Sequence, residues 1–469
     1  MSTHSSTPGS PASPNRAPEA HAPELATTTG PFDLPTMTGG IPVLEDAVND
    51  DPARFPSVRQ LGESPARVTA LVIAVLTTLS AIGPLATDMY IPAFPQVTRD
   101  LATTAASLQL TLTAFFMGVA GGQIVAGPLS DRLGRRAPLI VGIVLCLVGS
   151  IACALAPSVT WLLVARIVQG IGGGFGMVLG RAVLIDLTEG PELFRTLNIM
   201  QGISGVAPIV APLLGGLILI VGEWREVFWV IAGMSLLSLV GVLTLIPESL
   251  PKERRHAGGF RTFLKNGGTL LRRRLFVTYM LLNAFSAFAL LAYVSASTFV
   301  VQDMLGFDST IYSVSFAVNS TGMMCMSFLS ARLSRDVPPR TLIGIGLSIS
   351  AFAALLLLVG TLVFDTPAWI VFPGFFLLVS AQGLIFGNGG ALASRESLDM
   401  AGTGSALLGL GFSIAASAAA PLVGLAGTHS SLPMALTMVA GVAISFFCYV
   451  LAGRVGTDRG ADGAVASAS

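Results

Sequence analysis

The chain has 469 residues, of which 52% are hydrophobic and only 11% charged, with a net charge of zero. Soluble domains carry about 25% charged residues, so a soluble multidomain enzyme is excluded and a polytopic membrane protein is expected. The zero net charge gives no global basic field of the kind that attracts nucleic acid.

Residues 1–66 differ from everything that follows. The segment is rich in Pro, Ser, Thr and Ala, has no periodicity, and lacks the basic and apolar regions of a cleavable signal peptide. It is expected to be a disordered cytoplasmic tail. Twelve apolar windows of bilayer-spanning length then recur at 68–91, 106–128, 137–156, 160–181, 198–221, 227–247, 275–300, 311–331, 340–363, 368–392, 403–425 and 433–453. The lengths predict an all-α membrane protein of twelve transmembrane helices. Of the 26 Lys and Arg residues, Arg99 and Arg225 alone fall on the outer side if the N-terminus is inside. Arg166 and Arg181 lie within the fourth window, and all the others sit inside, which predicts both termini in the cytoplasm of a cell-membrane protein.

The chain also echoes itself. "GPLSDRLGRR" from Gly127 and "SFLSARLSRD" from Ser327 share five of ten positions, and "APLLG" from Ala211 returns as "APLVG" from Ala420. Both echoes fall in matching windows of two halves, so the reading is an N-terminal six-helix bundle at 67–247, a basic cytoplasmic linker at 248–274, a second bundle at 275–455 and a tail at 456–469. Cys146, Cys153, Cys325 and Cys448 lie in apolar runs without CxxC spacing and read as packed thiols, so no metal site is expected.

Four motifs carry chemistry. In "GPLSDRLGRR", Gly127 permits close helix approach and Gly134 a tight turn, Asp131 can face a helix N-terminus, and Arg135 and Arg136 can pair with acidic groups. An ordinary positive-inside loop would explain the arginines but not the Gly and Asp spacing. "LLVARIVQGIGGG" places Arg166 inside the fourth window, where a charge is expensive unless paired or wetted. Snorkelling to an interface marked by Trp161 is the alternative. "GISGVAPIVAPLLGG" studs the fifth window with Gly202, Gly205, Pro208, Pro212, Gly215 and Gly216, either for function or as a generic packing face. Asp88, between Pro84 and Pro92, stands alone: no other acid lies within the windows away from their ends, and no His or Lys lies in any window. It is either a proton carrier or a helix-end aspartate facing outside water.

These motifs together resemble the major facilitator superfamily across roughly residues 68–455. The resemblance implies two pseudo-symmetric six-helix bundles that rock about a midplane cavity lined by helices 1, 2, 4, 5, 7, 8, 10 and 11. It implies a latch role for Asp131 and Arg135 in the outward-facing state, with Asp186 as ionic partner. The second copy has Ala331 and Ser334 where the first has Asp131 and Gly134, so only the first is expected to latch. Arg166 resembles the helix-four arginine of proton-linked facilitators, and the fifth window resembles the antiporter motif of drug exporters, with Ala211 where glycine is usual. "TDMYIPAFP" resembles helix one of the bicyclomycin/chloramphenicol-resistance branch of drug:proton antiporters; Ser80 stands where some exporters carry a second acid.

The expectation is therefore a monomeric antiporter, not an enzyme, that exchanges protons for small amphiphilic drug-like compounds and needs no other cofactor. Proton coupling is assigned to Asp88 and Arg166. Tyr90, Gln109, Phe116, Asn283, Phe288, Asn319 and Asn388 are expected at the cavity, with Phe115, Gln123, Tyr279, Phe285 and Tyr293 as further contacts. An exporter of one metabolite, such as an amino acid or sugar, is the main competitor. An ATP-driven pump is excluded by the absence of a GxxxxGK[ST] loop. A receptor would need a soluble output domain, and a hydrolase a catalytic set within the windows.

Overall fold

The computed structural model describes residues 70–188, 190–255, 259–424 and 430–466. The expected N-terminal tail lies outside the described residues. Twelve long helices follow one another: α1 Ala70–Asp88, α2 Ala105–Leu133, α3 Arg136–Ala154, α4 Val159–Leu187, α5 Gly190–Val221, α6 Trp224–Leu245, α7 Arg274–Phe299, α8 Ser309–Leu333, α9 Pro339–Val363, α10 Ala368–Arg395, α11 Ala401–Val423 and α12 Leu432–Ala466. Each overlaps one apolar window. Eleven of them are long and apolar enough to cross a membrane, and the described part of α5 contributes a shorter apolar stretch, Gly205–Val221. The chain is a multi-pass membrane protein.

Helix ends follow local chemistry. The side chains of Thr104, Ser158 and Asp308 accept from the backbone N–H groups of Ser107, Trp161 and Ile311 and so start α2, α4 and α8. The linker is structured rather than featureless: a turn at Lys252–Arg254 leads to a helix, Gly259–Leu270, that packs against α2 and α11 and sinks Leu270 into the core of the second half. At the other end, α12 continues as helix to Ala466, into the segment expected as a tail. No proline interrupts it, and each further residue adds a hydrogen bond to a helix already nucleated.

Glycines set the packing of α2 on α4. A Cβ on Gly118 or Gly122 would collide with the carbonyls of Ile167 and Ile171, and one on Gly170 or Gly174 with those of Phe115 and Val119. The two backbones therefore touch along two facing small-residue ridges. Gly383 of α10 meets the Met323 carbonyl of α8 in the same way. Contacts between the halves run mainly along α2 with α11 and α5 with α8.

The molecule has an arginine-rich end and an opposite end, and the opposite end is sealed between the halves. Gln109 Nε2 donates to the Ser295 carbonyl at 3.0 Å, and Gln302 Nε2 donates to the Pro92 carbonyl at 3.0 Å. Phe94 and Phe299 close the gap beside them, with ring centroids 5.9 Å apart. Gln302 lies in a wide turn, Val300–Met304, that continues α7. Each such bond is worth about 0.5–1.5 kcal/mol net. Gln302→Leu should therefore raise the thiol-labelling rate of Phe299→Cys, in a background without native cysteines, by roughly 2–10-fold. An unchanged rate would show that this bond does not hold the end shut.

Candidate functional site

Pro84 lacks the N–H that would close its turn of α1, and the helix stops at Asp88 before a short 3-10 turn, Ile91–Ala93, with Pro92 as its second residue. At this stop the Tyr90 N–H bonds the Thr87 carbonyl at 3.2 Å rather than that of Ala86, the acceptor a continued α-helix would use. The Ala86 carbonyl is left free, and Arg166 of α4 captures it: Nη1 donates to Ala86 O at 3.0 Å and to Gln169 Oε1 at 2.6 Å. Gln169 in turn donates to Ser150 Oγ of α3 at 2.8 Å.

Arg166 is 0% exposed, so snorkelling is ruled out. Its guanidinium lies 4.2 Å from the Phe115 ring centroid, 5.2 Å from that of Tyr90 and 5.9 Å from that of Phe228. Desolvated cation–π contact is worth ~2 kcal/mol or more, which with two charge-assisted bonds explains how a cation persists here. Nε and Nη2 have no hydrogen-bond partner among the described residues. The partner that sequence reasoning failed to name is a backbone carbonyl, and its signal is the proline pair that frees it.

Asp88 is 9% exposed and does not face outside water. It lines a cavity of about 410 Å³ between the halves. The Thr87 hydroxyl reaches its Oδ1 at 3.1 Å. The walls are formed by Phe115, Phe116, Val119, Met177 and Pro208 from the first half and by Leu291, Val294, Phe316, Met323, Phe386 and Phe412 from the second. Thr87, Asp88, Gln123, Tyr293, Ser320 and Ser413 supply the polar side chains, and Asp88 is the one carboxylate among them.

Of the residues expected at the cavity, Phe116 lines it, as do Phe115, Gln123 and Tyr293. The others are corrected. Tyr90 is fully buried against Phe94 and Phe228. Gln109 serves the seal, Phe285 and Phe288 pack on each other in the core, and Tyr279 packs with Phe276 and Leu407. Asn283 donates to Tyr279 O at 2.9 Å, Asn319 to the Tyr293 hydroxyl at 3.0 Å, and Asn388 to Ser330 Oγ at 2.7 Å. A buried amide gains more from such a fixed partner than from an apolar void, so these three turn into their own half.

The fifth-helix motif divides by position. Gly215 lies against the Met89 carbonyl of the first-helix turn, Gly216 against Ser313 of α8, and Pro208 against the cavity. Pro212 falls one turn on within the unbroken α5. Gly202 and Gly205 face open space, so close helix approach does not explain them in this state.

At the arginine-rich end, Arg135 bridges two carboxylates, Asp131 at 2.6 Å and Asp186 at 3.1 Å. Burial opposes its charge, but Asp186 and Asp131 outweigh that cost and hold the guanidinium above its ordinary range. Gly134 takes the left-handed turn, φ 96°, that this loop requires. Gly127 has nothing within 4 Å of a Cβ, contrary to the expected close approach. Among the described residues the cluster bonds within the first half and to the linker, where Ser249 donates to Asp186 at 3.0 Å, and not to the second half.

Glu248 was missed from sequence. Its carboxylate accepts from the N–H of Arg135 at 2.7 Å and of Arg136 at 3.4 Å, capping α3, and meets Arg255 at 3.6 Å. An acid placed just after the sixth apolar window was the available signal. Arg136 itself reaches the Leu243 carbonyl at 2.7 Å. At the end of the linker, Arg273 grips Asp399 of the second half with two bonds of 2.7 and 2.6 Å and holds that carboxylate below its usual range. The pair is exposed, so it adds little stability.

Residues 76–421 match the profile of the Major Facilitator Superfamily. The chain is 34% identical, over 78% of its length and 90% of the relative's, to the uncharacterized MFS-type transporter YdgK of Bacillus subtilis. It is 30% identical, over 81% of its length and 96% of the relative's, to the bicyclomycin resistance protein homolog of Haemophilus influenzae. To the multidrug resistance protein MdtL of Klebsiella pneumoniae it is 31% identical, over 56% of this chain and 67% of that one. Among solved structures, the D-xylose-proton symporter superposes with a TM-score of 0.63 at 17% identity, covering 81% of this chain and 96% of that one. A bacterial homolog of the human lysosomal transporter Spinster, inward-facing and occupied, gives 0.65 at 18% identity over 84% and 98%. The fold, the order of the motifs and the match over most of its length identify the chain as a member of the Major Facilitator Superfamily of membrane transporters.

Proposed function

We propose that this transporter exports amphiphilic, drug-like compounds in exchange for protons, with Asp88 as the proton-carrying group and the arginine-rich end in the cytoplasm. The observation that carries the reading is the cavity: about 410 Å³, walled by aromatic and aliphatic side chains and containing one carboxylate. Sites for drug-sized molecules run from roughly 300 to 1,000 Å³ and are mostly apolar with a few placed polar groups. Relatives bearing drug-resistance names support the same reading.

The work follows from alternating access. With the far end sealed, a lipophilic ligand enters between the halves from the cytoplasmic side. A proton taken by Asp88 from the other side removes the one negative charge that faces the cavity. Substrate and proton then favour different states, which is the differential affinity that exchange requires. Each proton returning inward is worth about 2.3 kcal/mol per 100 mV of membrane potential, plus the pH gradient. The Asp131–Arg135–Asp186 cluster serves as the conformational latch, with the halves engaging it in the alternate state.

The test is transport by purified protein in sealed liposomes, with a panel of lipophilic cations, neutral lipophiles, amino acids and sugars. Uptake of lipophiles that stops when a protonophore collapses the gradient is expected. Gradient-independent movement, or movement of one amino acid or sugar alone, would replace this reading with a single-metabolite exporter.

A further inference from the structure

The linker helix, Gly259–Leu270, carries a surface that neither the cavity nor the latch uses. Its α-helical bonding runs on to Leu271, whose N–H donates to the Gly267 carbonyl at 2.9 Å. Residues three, four and seven apart therefore share a stripe. Phe263, Gly267 and Leu270 form the stripe turned to the protein: Phe263 is half-buried, Gly267 and Leu270 are buried, and the helix packs against α2 and α11. The next stripe is Leu264, Gly268 and Leu271. It is apolar and open, with Leu264 57% and Leu271 50% exposed and nothing within 4 Å of a Cβ at Gly268. The stripe beyond it, Lys265, Thr269 and Arg272, is polar and exposed.

An apolar stripe bordered by a cationic one suits a helix that lies in the interface between bilayer and water. Its position agrees, because Arg274 opens the membrane-spanning α7 three residues after Leu271. Its charge agrees as well. Residues 252–274 hold eight Lys and Arg residues against one acid, Glu253. Arg255 and Arg273 are taken up within the protein by Glu248 and Asp399. Among the described residues, Lys265 and Arg272 make no ion pair. The strap that presents them is fastened at both ends. Glu248 and Ser249 tie it to the first half through the Arg135 N–H and Asp186, and Arg273 ties it to the second through Asp399 and the Glu396 carbonyl. A second copy docking through the same face would set like charges against each other, whereas an anion carrying apolar chains matches both stripes.

We propose that this face binds anionic phospholipids of the adjoining leaflet: Leu264 and Leu271 enter the acyl boundary while Lys265 and Arg272 hold the phosphate-bearing headgroups. In the orientation proposed above that leaflet is the cytoplasmic one, but the contact itself needs only the bilayer and does not depend on which compound is transported. A zwitterionic headgroup brings an ammonium beside its phosphate and offsets the attraction, so the face selects lipids of net negative charge such as phosphatidylglycerol. Each Lys or Arg near an anionic surface contributes about 5-fold in affinity, and salt screens the effect.

The test uses the full-length protein without native cysteines, labelled with a fluorophore at Gly268→Cys, in phosphatidylcholine nanodiscs. Doxyl-phosphatidylglycerol and doxyl-phosphatidylcholine, with the quencher on the same acyl carbon, are titrated in turn. Half-maximal quenching is expected at roughly 5- to 25-fold less of the anionic lipid, one factor for each cation. That preference should fall toward one when Lys265→Gln and Arg272→Gln are combined, and also when the parent protein is moved to high salt. Equal quenching by the two lipids, or a preference that survives both substitutions, would overturn the proposal. Quenching by neither lipid would place the helix away from the bilayer and overturn it too. Displacement of the anionic lipid by inorganic phosphate at constant ionic strength would show a site for free anions rather than a lipid surface. Both cations are exposed, so the double variant is expected to fold; should it not, the salt titration of the parent protein decides in the same way.

Discussion

Asp88→Asn is expected to abolish proton-driven accumulation while leaving substrate binding intact. The amide is nearly isosteric with the carboxyl and its oxygen still accepts from Thr87, which now sits 3.1 Å from Oδ1, so the local turn is preserved. What it loses is the ability to change charge. If one proton exchanges for one substrate, each unit of pH gradient is worth 1.36 kcal/mol and sustains roughly a 10-fold concentration ratio. In the variant that ratio should fall to one, whatever the gradient. Concentrative uptake by the variant equal to wild type would end the antiport account. Binding measured separately, by quenching of a fluorescent ligand, guards against a trivial loss of the cavity.

The second large effect is expected at Arg166. Arg166→Met fills much of the same volume and keeps apolar contact with Phe115, yet strands the Ala86 carbonyl and Gln169 Oε1. Two bonds from a charged donor are worth roughly 1.5–3 kcal/mol each, and the desolvated aromatic contact adds ~2. Relief of the buried charge returns about 2.5–3.5 kcal/mol on insertion scales. The balance is a loss of about 1.5–5.5 kcal/mol, which is large for one substitution. Thermal unfolding in detergent should show a clearly lower midpoint, and a midpoint equal to wild type would make the Arg166–Ala86 bond dispensable.

What could be read from the sequence was what depends on length and type along one helix. Each apolar window appeared as a helix because an apolar run of about 20 residues satisfies its own backbone in lipid only as a helix. Asp88 could be singled out because one acid among apolar residues needs no partner to be conspicuous, whereas the pairing of Asp186 with Arg135 came from the loop motif's resemblance to the superfamily. The rest depends on where polar groups find partners across helices. Asn283, Asn319 and Asn388 looked like handles for a ligand, yet each turns to an acceptor in its own half. Arg166 invited a carboxylate partner and took a carbonyl that a break in another helix released. Glu248 looked like linker charge and caps α3. No spacing rule encodes these choices, since each is settled by which unpaired group lies within reach after the helices pack.

The glycine ridges have a bearing on how the protein meets unfamiliar compounds. The wall that carries Phe115, Val119 and Gln123 is welded, backbone on backbone, to α4, and α8 is joined to α10 in the same fashion at Gly383. Neither wall can bow outward to admit a bulkier guest. Breadth must therefore come from swivelling Met177, Met323 and the phenyl rings, the supple lining of two stiff plates. Under the drug export proposed above, changes of substrate range should accordingly arise from exchanges among those lining side chains, while the seams behind them stay untouched.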